Sequence, residues 1–326
     1  MASKGIGKLF QVGVAKEVTR GTIPASVGYW LAFSEASIEE KYENAIDVES
    51  YGVIEDSASQ TRTKAWAEGD IKAPLSDQSL GLLLYSLLGS HAVTGTGPYV
   101  HTFKVGESAQ HQSLSFYIHD PLAAQDYAHA NGMVSKLDIE YSKGKFITYT
   151  AKVMAQKGTQ ETAYTPSQTM ENRFVPQYLT FKLATNLAGL TAATPTVIMS
   201  AKLSIDSSVE AYDAMGSVAP QDFLNKEFSV DGQIEAIWQN ESDFKTASLA
   251  NTAQAMRLDL INSDVTLSPS GNPELQINLA KVYFTEFSRP IKLKDFVTQT
   301  VKFKAVYSIS DSEMLDIVLT NSVATY

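Results

Sequence analysis

A strand-like stretch broken by one glycine, Lys64-Ala-Trp-Ala-Glu-Gly-Asp-Ile71, has a looser counterpart in Lys226-Glu-Phe-Ser-Val-Asp-Gly-Gln-Ile234. In each, an aromatic residue (Trp66, Phe228) precedes an acid-glycine-polar-isoleucine unit. The glycines stand 163 positions apart (232 − 69), half of the 326-residue chain. Self-similarity at a fixed period constrains a fold strongly, because a duplicated unit repeats its element order as well as its residues. The surroundings do repeat. Gly52 and Gly216 precede the strand glycines by 17 (69 − 52) and 16 (232 − 216) residues, and Ala36-Ser-Ile-Glu-Glu40 and Leu203-Ser-Ile-Asp-Ser207 lie further upstream. Downstream come helix-like segments at 76–88 and 240–249, alternating strands at 113–118 and 256–261, and long closing strands at 145–154 and 299–307. The order predicts a tandem duplication; two unrelated β domains with chance similarity are the alternative.

The boundaries follow from local composition. Residues 1–34, with early glycines and Arg20-Gly-Thr-Ile-Pro24, read as a turn-rich arm, and 35–157 as the first β domain. Residues 158–177, rich in Thr and Pro, read as a linker, and 178–326 as the second domain. Strands should dominate, since 201–205, 274–279 and 300–306 alternate with the period of a sheet that buries one face. The best helix starts at Asp77, a residue able to cap it, carries Leu80, Leu83, Leu84, Leu87 and Leu88 as an apolar stripe, and stops at Gly89. It is expected across the outside of a sheet. Its counterpart is shorter, with Phe244 and Leu249 as anchors.

Hydrophobic content of 44%, charged content of 19%, 15 Tyr and 14 Phe fit a soluble, sheet-rich chain. A net charge of −10 argues against simple phosphate-backbone binding, which relies on Lys and Arg releasing counterions. With no cysteine, disulfides and thiolate metal sites are excluded. The amino terminus lacks an apolar core of signal-peptide length and the run from Leu80 to Leu88 is too short to span a bilayer, so a protein made in a cytoplasm, with no membrane partner, is expected. Residues 35–56 are acid-heavy, which suits a solvated strand and loop, or a surface that repels a polyanion or docks on a basic partner.

Site chemistry is sparse. His91, His101, His111, His119 and His129 cluster, yet no pair has the short spacing of metal ligands. Thr94-Gly-Thr-Gly-Pro98 reads as a turn, not a phosphate loop. No Gly-x-Ser-x-Gly elbow, His-Glu-x-x-His or nucleotide-binding glycine motif is present, and Glu68 with Asp70 reads as exposed strand charge before it reads as a glycosidase pair. No catalytic, cofactor-binding or metal residue is assigned, and a structural or binding role is expected.

Several landmarks together resemble the tail tube proteins of long-tailed bacteriophages: Glu17-Val-Thr-Arg-Gly-Thr22, Trp66-Ala-Glu-Gly-Asp-Ile71, the helix ending Leu87-Leu-Gly89, Tyr99-Val-His-Thr-Phe103 and Leu137-Asp-Ile-Glu-Tyr141. The second half is similar to that family in Leu203-Ser-Ile-Asp-Ser-Ser-Val-Glu210, Phe228-Ser-Val-Asp-Gly232 and Leu319-Thr-Asn321. The resemblance implies a mainly β protein made of two tandem β-sandwich or half-barrel domains of tail-tube type, each with one flanking α-helix. Single-domain members close six-fold rings whose inner sheets join into a β-barrel around a channel. Two tandem copies then imply rings of three chains, stacked into a tube.

The same resemblance implies a virion tail protein, assembled in the host cytoplasm, whose partners are its own copies and other tail proteins such as tape measure, tail-tip and terminator proteins. DNA would pass through without specific binding. Glu68, Asp70, Asp138 and Glu140 are candidates for the channel wall, with an outer-face position as the alternative. Arg20, Tyr51, Gly52, Asp213 and Gly216, on the arm and on loops 42–62 and 207–226, are candidates for contacts between rings. The competing readings are a carbohydrate-binding or otherwise adhesive β-sandwich, and a hydrolase with an acidic site.

Overall fold

A computed structural model describes residues 5–122, 125–162, 164–239, 244–291, 293 and 296–326. The first half contributes β1 (Gln11–Lys16), β2 (Tyr29–Leu31), β3 (Glu35–Ala36), β4 (Glu39–Ile46), β5 (Gln60–Pro74), α1 (Leu80–Leu88), β6 (Gly89–Thr94), β7 (Tyr99–Val105), β8 (Leu114–His119), β9 (Gln125–Ser142), β10 (Thr148–Gln156) and β11 (Thr159–Thr162). The second contributes β12 (Leu179–Ala184), β13 (Ser200–Asp206), β14 (Val209–Tyr212), β15 (Asp222–Asn225), β16 (Ser229–Ile237), α2 (Lys245–Leu249), β17 (Gln254–Ile261), β18 (Glu274–Ser288), β19 (Thr298–Ala305) and β20 (Leu315–Asn321). The chain is mainly β, as expected.

One antiparallel run crosses the whole molecule. In order it is β4, β5, β10, β9, β13, β16, β19 and β18, with β3 beside β4 on the edge of β5. Each half bends its longest strand into a second layer. The start of β9 pairs with β8, which pairs with β1, and the start of β18 pairs with β17, which pairs with β12. The neighbour order β1-β8-β9-β10-β5 therefore recurs as β12-β17-β18-β19-β16.

Registers agree as well as order. Val153 of β10 faces Gly69 and Val134, while Phe303 of β19 faces Gly232 and Phe284. Both ladders slip at that point, leaving Ser135 and Thr285 as the extra residues of two bulges. A bulge twists and bends its strand, which lets β9 and β18 pass from one layer to the other. The two strand glycines share one cause. A Cβ at Gly69 would overlap the Ser37 carbonyl oxygen, and one at Gly232 the Lys202 carbonyl oxygen and the Phe303 ring, so the neighbouring strand can approach only where no side chain exists. Ala36 faces Ile71 and Ala201 faces Ile234. The upstream segments thus align Ala36 with Ala201, two residues off the alignment with Leu203 that the sequence suggests.

Period-two alternation supplies the core. Ala67, Ile71 and Ala73 of β5, Leu137, Ile139 and Tyr141 of β9, and Ala201, Leu203 and Ile205 of β13 are buried, and their neighbours face outward. Buried side chains of both halves form one contiguous cluster, in which Phe103 of β7 meets the second half through the β7–β20 pairing. Removing such apolar surface from water, at about 25 cal/mol per Å², is the main favourable contribution to folding.

Four expectations differ from the structure. First, α1 is buried on nearly every side, including Leu82 and Leu84, and packs between β9, β7 and β6 rather than across the outside of a sheet. Second, Asp77 does not cap it. Its carboxylate accepts from Asn172 N and Nδ2, and Glu171 Oε2 instead takes the Gln78 and Ser79 backbone N–H groups at the helix start. Gly89 ends the helix with φ of 82°, as the sequence implies. Third, residues 11–31 are no free arm, since β1 is hydrogen-bonded on both edges. The expected linker is likewise packed in part, with β11 on β9 and Phe174 buried. Fourth, in the second helix Phe244 is buried but Leu249 is 76% exposed and anchors nothing, while residues 240–243 of the predicted segment lie outside the described residues.

Candidate functional surface

The outward face of the long strand run carries most of the polar side chains singled out in the sequence. Reading the register across it, Lys72, Thr150, Asp138, Ser204, Asp231 and Lys304 form one row. Asp70, Lys152, Lys136 and Asp206 form the next. Glu140 faces Thr148 and Lys202. Glu68, Asp70, Asp138 and Glu140 are therefore on one face, because alternate residues of a strand point the same way and the neighbouring strands keep register. They are interleaved with lysines. Glu140 Oε1 lies 2.8 Å from Lys202 Nζ, Asp138 Oδ2 lies 3.1 Å from Lys136 Nζ, and Glu286 Oε2 lies 2.8 Å from Lys302 Nζ. The hydrogen bond from Lys202 holds the Glu140 carboxyl below its usual range. All three pairs are exposed, so each adds little to stability. Their effect is on the face itself, a fine mosaic of both signs with no cationic stripe.

The candidates on loops and on the leading segment are not brought together. Gly52 and Gly216 have φ of 76° and 92° with open space around them, so each is the left-handed corner of an exposed loop. Tyr51 is 56% exposed and bonds Asp47. Val48, Val53 and Ile54 are exposed beside it, as are Tyr212 and Met215 near Gly216. Asp213 is half-exposed and forms an ion pair of 2.6 Å with Lys64. Arg20 differs from expectation, because its guanidinium is spent inside the chain on Asp222 Oδ1, the His111 carbonyl and the Phe223 carbonyl.

Three of the histidines, His101, His111 and His129, bond backbone carbonyls. His91 Nε2 lies 3.0 Å from His101 Nδ1, whose Nε2 lies 2.8 Å from the Val323 carbonyl oxygen. His101 thus donates from Nε2 and accepts from His91. His111 and His129 bond the Leu87 and Gln156 carbonyls, and His119 bonds Asp126. Among the described residues no group of three or more His, Asp or Glu could hold a metal ion. A groove of about 910 Å³ at the joint of the halves is lined largely by apolar side chains, among them Phe146, Val197 and Met199. It presents hydrocarbon and no convergent acid and base.

Sequence reasoning missed the role of Glu17. Its carboxylate accepts from Ser115 Oγ, the Asn131 N–H and the Gly21 N–H, fixing the corner where β9 bends at Asn131, a residue with φ of 51°. The Glu17-Val-Thr-Arg-Gly run carried that signal without its reason. Also missed were the two bare ends of the long strand run. Among the described residues, the outer edges of β4 and of the last residues of β18 have no strand partner.

A β wall with a mixed-charge face, unpaired edges and projecting loops has the parts of a structural subunit. A family described as phage tail tube protein matches residues 7–305, and the chain belongs to that family. It is a structural component of a phage tail. No curated protein matches the sequence closely enough to name a relative. No helix among the described residues is long and apolar enough to cross a membrane.

Proposed function

We propose that the two halves are tandem copies of one tube domain, and that three chains close a pseudo-six-fold ring that stacks into the hollow tail tube. The observation that carries this reading is the pairing of β9 with β13. It fuses the run β4-β5-β10-β9 to the matching run β13-β16-β19-β18 in one sheet, with the same neighbour order on each side of the joint. A sheet that joins its two halves this way and keeps bare edges is relieved of those edges when it closes on itself.

In this ring the outward face of the run lines the channel, and Glu68, Asp70, Asp138 and Glu140 belong to its wall. The interleaved lysines keep that wall from becoming a steep anionic barrier, and the acids between them leave DNA phosphates no continuous track of positive charge to hold them. DNA then slides past without specific binding. The exposed apolar loops around Tyr51 and Gly52 and around Gly216 reach the next ring, with Asp213 beside them; Arg20 is left out of that contact. Assembly takes place in the host cytoplasm, and tape measure, tail-tip and terminator proteins set the start and end of the polymer.

Negative-stain microscopy of the purified protein, with native mass determination in parallel, tests the reading. Rings of three chains or hollow tubes with six lobes are expected. A monodisperse monomer that binds a glycan or turns over a substrate would overturn it.

A further inference from the structure

The joint inside the chain carries information about the joint between chains. At β9–β13 the pairs are Lys136 with Asp206, Asp138 with Ser204, and Tyr141 with Ala201. Lys136, Asp138, Ala201, Ser204 and Asp206 each have a counterpart at a bare edge. Lys136 and Asp138 face Lys152 and Thr150 on β10, as Glu286 and Ser288 face Lys302 and Thr300 on β19. Strand β18 ends at Ser288, two residues before Pro290, so the correspondence stops there. On the other side, Ala201, Ser204 and Asp206 face Ile234, Asp231 and Ser229, as Ala36, Glu39 and Lys41 face Ile71, Glu68 and Trp66.

Burial differs in the way an unfilled joint requires. Leu137 and Leu203 are fully buried, whereas their counterparts Phe287 and Ile38 are only half-buried. Charge is complementary too, since Lys136 opposite Asp206 becomes Glu286 opposite Lys41, the same pair with its polarity reversed.

We propose that residues 286–288 pair antiparallel with residues 39–41 of a second copy of this chain, with Glu286 opposite Lys41 and Ser288 opposite Glu39. This rests on the tandem-copy reading above and adds the strands and the register of the seam. The contact is head-to-tail, so it repeats from chain to chain until the ring closes.

The absence of native cysteine makes a direct test possible. Opposed residues of an antiparallel pair have Cα atoms about 4.5–5.5 Å apart, within disulfide range, while diagonal neighbours at about 7–8 Å fall outside it. A chain carrying Ser288→Cys, mixed with one carrying Glu39→Cys and mildly oxidised, is expected to give a covalent dimer. The double variant should give a covalently closed ring that survives denaturant and is released by reductant. The slipped pair Ser288→Cys with Lys41→Cys should link at least about tenfold less. As a second measurement, Glu286→Lys should lower the assembled fraction and added Lys41→Glu should restore it. Rings seen by microscopy without the Ser288–Glu39 link, or with the slipped pair linking better, would overturn the seam and leave the ring reading standing. A monomer at high concentration that also binds a glycan or turns over a substrate would remove both.

Discussion

Arg20 reaches across more than half of the chain to Asp222, with Nε 2.6 Å from Oδ1, and its other donors meet the carbonyls of His111 and Phe223 at 2.6 and 2.8 Å. One guanidinium thereby ties the segment after β1 to the loop before β8 and to β15 of the second half. Replacing it removes the cation beside a well-shielded carboxylate, which keeps only the neutral donors Gln110 Nε2 and Phe223 N–H, and takes a donor from each of two carbonyls. Arg20→Ala should destabilise the chain by about 2–3 kcal/mol, read from urea unfolding. Arg20→Lys should recover less than half of that, because an ammonium cannot present three donors in one plane.

The paired glycines predict a graded series. Gly69→Ala and Gly232→Ala force backbone apart at the approach of Ser37 and Lys202, and each should cost about 3 kcal/mol or more. Gly52→Ala meets open space and bears only the strain of its positive φ, about 1–2 kcal/mol, confined to its loop. Thermal unfolding should rank the three accordingly. Equal melting temperatures would remove close approach as the reason for the strand glycines.

Acid should weaken the fold through the histidine stack. Burial, aided by the His101 ring and the Lys16 ammonium, pushes His91 down to about 4 from its ordinary 6.5. Burial also lowers His101 and His129. Between pH 6.5 and 4 the unfolded chain then binds more protons than the folded one, so this contribution is complete above about pH 6.5 and is lost as pH falls toward 4. Asp77, Asp259, Glu274 and Asp316, raised by burial, act in the opposite sense. A comparison isolates the histidine. His91→Gln keeps an amide donor for His101 and should flatten the slope of melting temperature against pH in that window.

The proposed channel wall is testable by charge. Tubes in which Glu68, Asp70, Asp138 and Glu140 are replaced by Lys should retain DNA on sedimentation at low salt, while wild-type tubes should not. Each lysine that contacts phosphate should steepen the salt dependence by about 0.9 in log–log slope. If the substituted tubes release DNA as freely as the wild type, these residues lie on the outer face.

The elements legible in the sequence were those whose signal is local. Alternation at 201–205 and 300–306, the glycine stop at Gly89 and the repeated acid-Gly-polar-Ile strand each depend on a few adjacent side chains, and the structure keeps all of them. Parity alone pairs Glu68 with Asp70 and Asp138 with Glu140, while only the register through β10 brings the two pairs to one face. What failed was whatever depended on distant residues. Asp77 was an adequate cap by type, yet Asn172 claimed its carboxylate and Glu171 took the helix N–H groups. Residues 11–31 lacked strong alternation, yet β8 offered them a hydrogen-bonding edge.

By itself the sequence determined a cysteine-free, β-rich chain with a two-fold internal echo, because composition and period-two patterning act through each residue's own preference for water or core. Tertiary structure alone decided that β9 joins β13, that α1 is enclosed, and that lysines interleave with the acids of the outward face. Those outcomes depend on which strand edges meet and in what register, and backbone hydrogen bonds, identical for every residue type, leave little trace of their partners in the order of the amino acids.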